Sequence, residues 1–349
     1  MSEPNGISGE SVTPWLQEYV EGFEGFQTIE KITAGQSNPT YRIDAKSGRY
    51  VLRAKPPGDL LKSAHQVDRE YRIISALAAT DVPVPKVYAL SPDGQESPIG
   101  RQFYIMEFKE GRIFWDPLVP DARSDEERAA IYDSMNATLA ALHSVNVDAV
   151  GLSDYGKPGS YFSRQFSRWS KQYRASETDT IEPMNRLMAW LDENEPADDG
   201  HASLVHGDYR LDNMMFAPDE PCVIALLDWE LSTLGHPFAD LAYQCMQWRL
   251  PHQGGFKGLG GIDRAAHGLP SEEDYVERYC KRRGIAPPAN WNYYIAFSFF
   301  RLAAILQGVY RRSLDGNAAN PERAALMGRA VPLLAQLAVQ SLNETNSRS

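Results

Sequence analysis

Hydrophobic positions change their period part-way along the chain. Between Phe26 and Phe108 they fall in short alternating runs: FQTIEKIT, TYRIDA, RYVLRA, VPVPKVYAL and RQFYIMEF. Side chains on a strand point alternately to its two faces, so these runs predict strands. TYRIDA and RYVLRA flank KSG, a hairpin signal. One helix over residues 62–79 interrupts them, with Val67, Tyr71, Ile74 and Ala78 on one apolar stripe. Ahead of the strands, Thr13-Pro14 predicts a helix start, because proline's missing N–H costs nothing in a first turn. Trp15, Leu16 and Val20 would pack one face of that helix.

Beyond Gly111 a helical period takes over. EERAAIYDSMNATLAALHSV, YFSRQFSRWSKQYRAS, EPMNRLMAWLDENE, PFADLAYQCMQWRL, SEEDYVERYCKRR and NYYIAFSFFRLAAILQGVYRR all read as helices, and a last one runs through Leu342. Two short apolar runs, SLVHGDY and CVIALLDWE, break the series, with NMMFAPDEP as the turn between them. The Gly-rich LPHQGGFKGLGGIDRAAHGLP reads as a loop over a site. The expected fold is α+β: a small β-rich N-terminal lobe over residues 1–110, a larger mainly helical C-terminal lobe over 111–349, and a cleft between them.

Composition narrows the function classes. The hydrophobic and charged fractions, 43% and 23%, are those of an ordinary globular chain. A net charge of −11 argues against nucleic-acid binding, which needs a basic surface. Cys222, Cys245 and Cys280 are odd in number and widely spaced, which fits a reducing cytoplasm rather than a disulfide framework or a zinc site. The opening MSEPNGISGESV has no basic region before an apolar run, so no signal peptide is expected. No uninterrupted apolar stretch approaches the roughly 20 residues of a membrane span.

The sharpest chemical signal is HGDYRLDN, His206 to Asn213. It separates Asp208 from Asn213 by four residues, and an apolar run then ends in Asp228. Phosphoryl transfer uses this set: one carboxylate to accept the attacking hydroxyl's proton, and a carboxamide and a carboxylate to hold magnesium against the phosphates. The protein-kinase spacing H-R-D-x-x-x-x-N is kept, with Gly207 in place of Arg and DWE in place of DFG.

HGDYRLDNMMF with LLDWELSTLGHPFADLAY resembles the aminoglycoside phosphotransferase and choline kinase superfamily. GQSNPTYRI, VLRAKPPG, SAHQVDREYR and MEFKEGRIFWDP are similar to the branch related to kinase-like domains attached to some acyl-CoA dehydrogenases. The resemblance runs from about Phe26 to Tyr310. It implies a protein-kinase-like fold, ATP and Mg2+, with a nucleotide-binding first lobe and a catalytic, substrate-binding second lobe. It implies Asp208 as catalytic base, Asn213 and Asp228 as metal ligands, and His206 and Asp240 as supports of the loop. The N-terminal lobe offers Gln36, Ser37 and Asn38 near the phosphates. Alignment of VLR puts the phosphate-contacting cation at Arg53, while Lys55 shares its strand face, so either could serve. Glu70 matches the helix partner of that cation. MEFKEGR is the expected hinge, where the Glu107 carbonyl and the Lys109 N–H would meet adenine.

The acceptor is read from the helices after DWE. Tyr243, Trp248 and Arg249, with Arg301 and Tyr310, combine aromatic and basic groups suited to a hydroxy acid or a hydroxyacyl-CoA. The dehydrogenase-associated branch points the same way. An aminoglycoside or choline-like kinase is an alternative, as is a nucleotide-binding pseudokinase or scaffold. A metal hydrolase built on Asp208, Asp228 and His236 is a further reading.

Overall fold

In the computed structural model, which describes residues 7–32, 38–58, 66–253, 257–316 and 321–343, the alternating runs build one antiparallel sheet. Its order is β1 (Phe26–Ile32), β2 (Thr40–Ala45), β3 (Gly48–Ala54), β5 (Phe103–Glu107), β4 (Val87–Leu90). The hairpin falls at Lys46-Ser47, between the paired Ala45 and Gly48. Val12, Trp15 and Leu16 of α1 (Gly9–Tyr19) join Tyr41, Ile43, Leu52, Phe103 and Ile105 in one buried cluster.

Two local expectations are corrected. Helix α1 starts at Gly9, not at Thr13-Pro14. Ser8 caps it by accepting from the Ser11 N–H, Ser11 returns the bond, and Pro14 lies inside the helix. Helix α2 (Val67–Leu77) buries Val67, Glu70, Ile73, Ile74 and Leu77 rather than the stripe through Tyr71 and Ala78. The face is rotated because Glu70 points inward to a partner described below.

The helical expectations hold closely. They appear as α3 (Asp125–His143), α4 (Tyr161–Ser176), α5 (Glu182–Glu193), α6 (Phe238–Cys245), α7 (Glu272–Arg283), α8 (Trp291–Leu314) and α9 (Pro321–Asn343). The segment expected as a turn contains a strand. β7 (Met214–Phe216) pairs with β8 (Val223–Leu226), and β6 (Ser203–Val205) pairs with β9 (Thr233–Gly235). Part of α9, Ala324–Leu342, is long and apolar enough to cross a membrane by length and composition alone. Here it packs along α8 with Val331, Leu334, Ala335 and Ala338 buried. The three cysteines are free thiols.

The chain divides into two compact units. The first takes Met1–Ile113, Asp148–Leu152 and Asn213–Leu231; the second takes Phe114–Val147, Ser153–Asp212 and Ser232–Ser349. The β7–β8 hairpin thus folds with the N-terminal sheet although a hundred residues of mainly helical chain come before it.

Candidate functional site

Two of the expected ligands are brought together by that hairpin. Met214 pairs with Leu226, and the Leu227 N–H donates to the Asn213 carbonyl at 2.9 Å. Asn213 and Asp228 therefore sit at the same open end. Asp228 has φ +63, a left-handed conformation costly for a residue with a Cβ. The hairpin holds it there with its side chain partly exposed, at 28%.

The cation facing Asp228 is Arg53 on β3. Its Nη2 donates to Asp228 Oδ1 at 2.5 Å, and its Nε lies 2.7 Å from Glu70 Oε2. Glu70 is 1% exposed and also accepts from Asn38 Nδ2 at 2.6 Å and the Tyr104 hydroxyl at 3.2 Å. Burial alone would push the Arg53 guanidinium down, but Glu70, Tyr104 and Asp228 outweigh it and its pKa rises. Burial pushes the Glu70 carboxyl up, against the opposing charge of Arg53. Lys55 is turned elsewhere: it lies just past the end of β3, and its Nζ is 2.5 Å from Asp93 Oδ2. Asn38 is buried against Glu70, and Gln36 and Ser37 lie outside the described residues.

Arg53 and Asp228 line a cavity of about 720 Å³ within the first unit, walled by Val51, Ile74, Met106 and Met215 among others. Small-molecule sites are pockets of this size, mostly apolar with a few placed polar groups. At its rim the Glu107 N–H is taken by the Lys86 carbonyl and the Phe108 N–H by the Arg49 carbonyl. Among the described residues the Lys109 N–H takes no backbone carbonyl, which leaves a donor for a ligand. The Glu107 and Lys109 side chains pair with each other at 3.2 Å.

In the second unit, Asp240 at the start of α6 grips the HGD loop. The His206 N–H donates to its Oδ2 at 2.6 Å and the Gly207 N–H to its Oδ1 at 2.9 Å. His143 of α3, which the sequence reading missed, places Nε2 3.2 Å from the same carboxylate and Nδ1 2.6 Å from the Tyr279 hydroxyl. Burial alone would raise the Asp240 carboxyl, but the hydrogen bond from His143 and the loop amides hold it below its usual range. Burial lowers the His143 pKa despite that neighbour. Nothing in the spacing of the sequence links a histidine in the last turn of α3 to an aspartate 97 residues later. Asp208 itself has Arg210 Nε 3.3 Å from its Oδ1. Burial, then the Asp208 charge, pushes the Tyr243 pKa up.

The expected acceptor residues scatter. Arg249 is held by Glu272 through two bonds of 3.0 and 2.8 Å. Trp248 is buried between Tyr132 and Tyr275 and donates to the Pro270 carbonyl at 2.9 Å. The Tyr310 ring lies flush against Gly328 of α9. These three are engaged in packing, because each found a partner on a neighbouring helix. Arg301 is buried and turned to the HGD loop, where its Nη2 donates to the Gly207 carbonyl at 2.6 Å. His236, invoked by the hydrolase reading, lies 3.3 Å from Asp199, which also has His201 at 3.0 Å. Its Nδ1 accepts the Phe238 N–H, so the ring proton sits on Nε2, the atom a metal would need. Burial would raise the Asp199 carboxyl, but bonds from the His201 N–H and the two imidazoles outweigh it and bring it down to about 2.

A family model described as "Phosphotransferase enzyme family" matches residues 28–276. The chain belongs to the phosphotransferase enzyme family. This family member is 46% identical over 329 residues to acyl-CoA dehydrogenase family member 10 of Mus musculus, covering 93% of the chain but 30% of that protein. The chain thus spans less than a third of that relative's length. It matches the crystal structure of a provisionally named aminoglycoside phosphotransferase from Ralstonia eutropha with TM-score 0.87 and 48% identity, over 96% of this chain and 98% of that one. The structure of aminoglycoside phosphotransferase APH(4)-Ia with AMP-PNP and hygromycin B matches at TM-score 0.60 and 16% identity, over 96% and 99%. That last likeness concerns the fold. This family member has the protein-kinase-like α+β fold, with a small antiparallel sheet in its N-terminal part and a larger helical C-terminal part.

Proposed function

We propose that the chain is an ATP-dependent, magnesium-using kinase that phosphorylates a hydroxyl of a small molecule. The observation that supports this most is the hairpin end that presents Asn213 and Asp228 together, with Asp228 also lining the 720 Å³ cavity beside Arg53. A carboxylate and a carboxamide are hard oxygen donors, the set magnesium prefers. Asn213 and Asp228 would hold the ion, which when bound neutralises charge on the β- and γ-phosphates.

The residues of the chain supply the rest. Asp208 takes the proton from the acceptor hydroxyl as that oxygen forms its bond to the γ-phosphorus and the bond to ADP breaks. Arg210 holds the Asp208 carboxylate for that proton. Arg53, fixed by Glu70, carries a permanent positive charge suited to phosphate oxygens. The Lys109 N–H is a donor for the base of the nucleotide. Catalysis is then mainly positioning and electrostatics.

For the acceptor we propose a hydroxy acid or a hydroxyacyl-CoA. The likeness to a protein named as an acyl-CoA dehydrogenase family member supports this more than the wall residues do, since Trp248, Arg249 and Tyr310 are occupied elsewhere. The test is ADP release with ATP and magnesium across hydroxy acids, hydroxyacyl-CoA, choline and aminoglycosides. Saturable turnover on the first two, lost in Asp208→Asn with ATP affinity within about twofold, is the expected result. Turnover on aminoglycosides alone overturns the acceptor, and wild-type turnover in Asp208→Asn overturns the base.

A further inference from the structure

Among the described residues, Arg301 of α8 is a guanidinium with no carboxylate in ion-pair range. It is 6% exposed, and among the described residues its polar contact is the 2.6 Å bond from Nη2 to the Gly207 carbonyl. Its charge is met instead by two aromatic faces, Trp169 at 5.8 Å and Tyr243 at 5.3 Å from the ring centroids. A buried guanidinium without an acidic partner among the described residues is costly to keep. Aromatic faces and a carbonyl dipole compensate such a charge only in part.

The place it occupies gives the reason. Gly207 has φ +83, a conformation that a residue with a Cβ rarely adopts, and it stands between His206 and Asp208. Its N–H is bound by the carboxylate of Asp240 and its C=O by the guanidinium of Arg301. The carbonyl of Gly207 belongs to the peptide that leads directly into Asp208. Tyr243 lies under the Arg301 charge, with its ring centroid 5.3 Å from the guanidinium, and is only 5% exposed. The peptide leading into Asp208 is thus tied to Arg301, with the Tyr243 ring beneath the same charge.

We propose that Arg301 is a positioning residue for phosphoryl transfer: with Asp240 it clamps Gly207 from its two polar sides and so fixes the backbone that carries Asp208. This rests on the kinase reading above. It also replaces the expectation that Arg301 and Tyr243 contact the acceptor, since both are nearly inaccessible.

The test uses the full chain and ATP hydrolysis with magnesium, water being the acceptor probe. Arg301→Met is expected to lower kcat roughly thirtyfold or more, with KM for ATP within about twofold. Arg301→Lys, which keeps the charge and one donor, is expected to recover a good part of that loss. Hydrogen exchange over residues 204–212 gives a readout independent of turnover. The His206 and Gly207 amides should exchange roughly tenfold faster in Arg301→Met. Unchanged loop exchange, kcat within about twofold of wild type, or equal losses in the Met and Lys variants each overturn the proposal. If wild type transfers phosphate to neither water nor any acceptor, the kinase reading falls and the positioning role with it. The exchange data then say whether the clamp itself exists.

Discussion

The Arg53 guanidinium donates to the Asp228 carboxylate at 2.5 Å across 175 positions of sequence. Glu70 holds the other side of the same guanidinium, so the cation on β3 is shared between a buried carboxylate and a partly exposed one. Arg53→Met strands Glu70 without a counter-charge and should cost about 3–5 kcal/mol of stability. Arg53→Met with Glu70→Met should regain much of that while leaving ATP affinity low. Urea unfolding and calorimetric ATP titration of the two variants check both halves.

Lys55 should behave differently from Arg53 despite its place in the sequence. Its partner Asp93 is mostly exposed, and an ion pair of that kind contributes about 0–1 kcal/mol. Lys55→Ala is therefore expected to leave ATP affinity within about twofold. A loss of nucleotide binding comparable to that of Arg53→Met would return Lys55 to the phosphates.

Arg249 separates a packing role from an acceptor role. Glu272 is buried, is held by Arg249 through two bonds, and also accepts from Trp291 Nε1 at 2.6 Å. Arg249→Ala should destabilise by about 2–4 kcal/mol. KM for whichever hydroxy acid or thioester proves active should stay within about twofold. A rise in KM with stability unchanged would restore Arg249 to the acceptor wall.

Acid should loosen the support of the HGD loop in two stages. The folded pKa of His143 lies below its ordinary 6.5, so the unfolded chain takes up that proton first. Its stabilising contribution is complete above 6.5 and is lost as pH falls below that value. Asp240 is depressed below its ordinary 3.8, so its contribution is complete above 3.8 and is lost as pH falls through the folded value. His143→Gln keeps a donor toward Asp240 but does not titrate. Its unfolding free energy should fall less steeply as pH drops below 6.5, by up to about 1.4 kcal/mol per pH unit. His236, also depressed by burial, remains and keeps some slope in the variant. Parallel stability curves for wild type and variant would remove His143 from the account.

What could be read from the sequence was what repeats or stands at short range. The strand runs, the α4 boundaries and the Asp208–Asn213–Asp228 order are patterns of a few residues, and β7–β8 was half visible as an apolar run ending in Asp228. The turn reading of NMMFAPDEP failed because Met214–Phe216 is a strand only through its pairing with Val223–Leu226. Burial was misjudged wherever a charge found a distant partner. Glu70 turned the face of α2 inward toward Arg53, and Arg301 and Arg249 left the expected acceptor wall for Gly207 and Glu272. His143 could not be found at all, since its link to Asp240 exists only once α3 and α6 are packed.

The hairpin from Asn213 to Leu231 also sets how the molecule can be recombined. Its grouping with the N-terminal sheet means that no single crossover point separates the nucleotide apparatus from the rest. A chimera that takes residues up to Ile113 from one relative and the remainder from another pairs one parent's Arg53 with the other parent's Asp228. Divergence between relatives at either position then has to be matched at the other. The two stretches should be inherited as a linked pair, and a library that shuffles them together should keep more folded members than one that shuffles them apart.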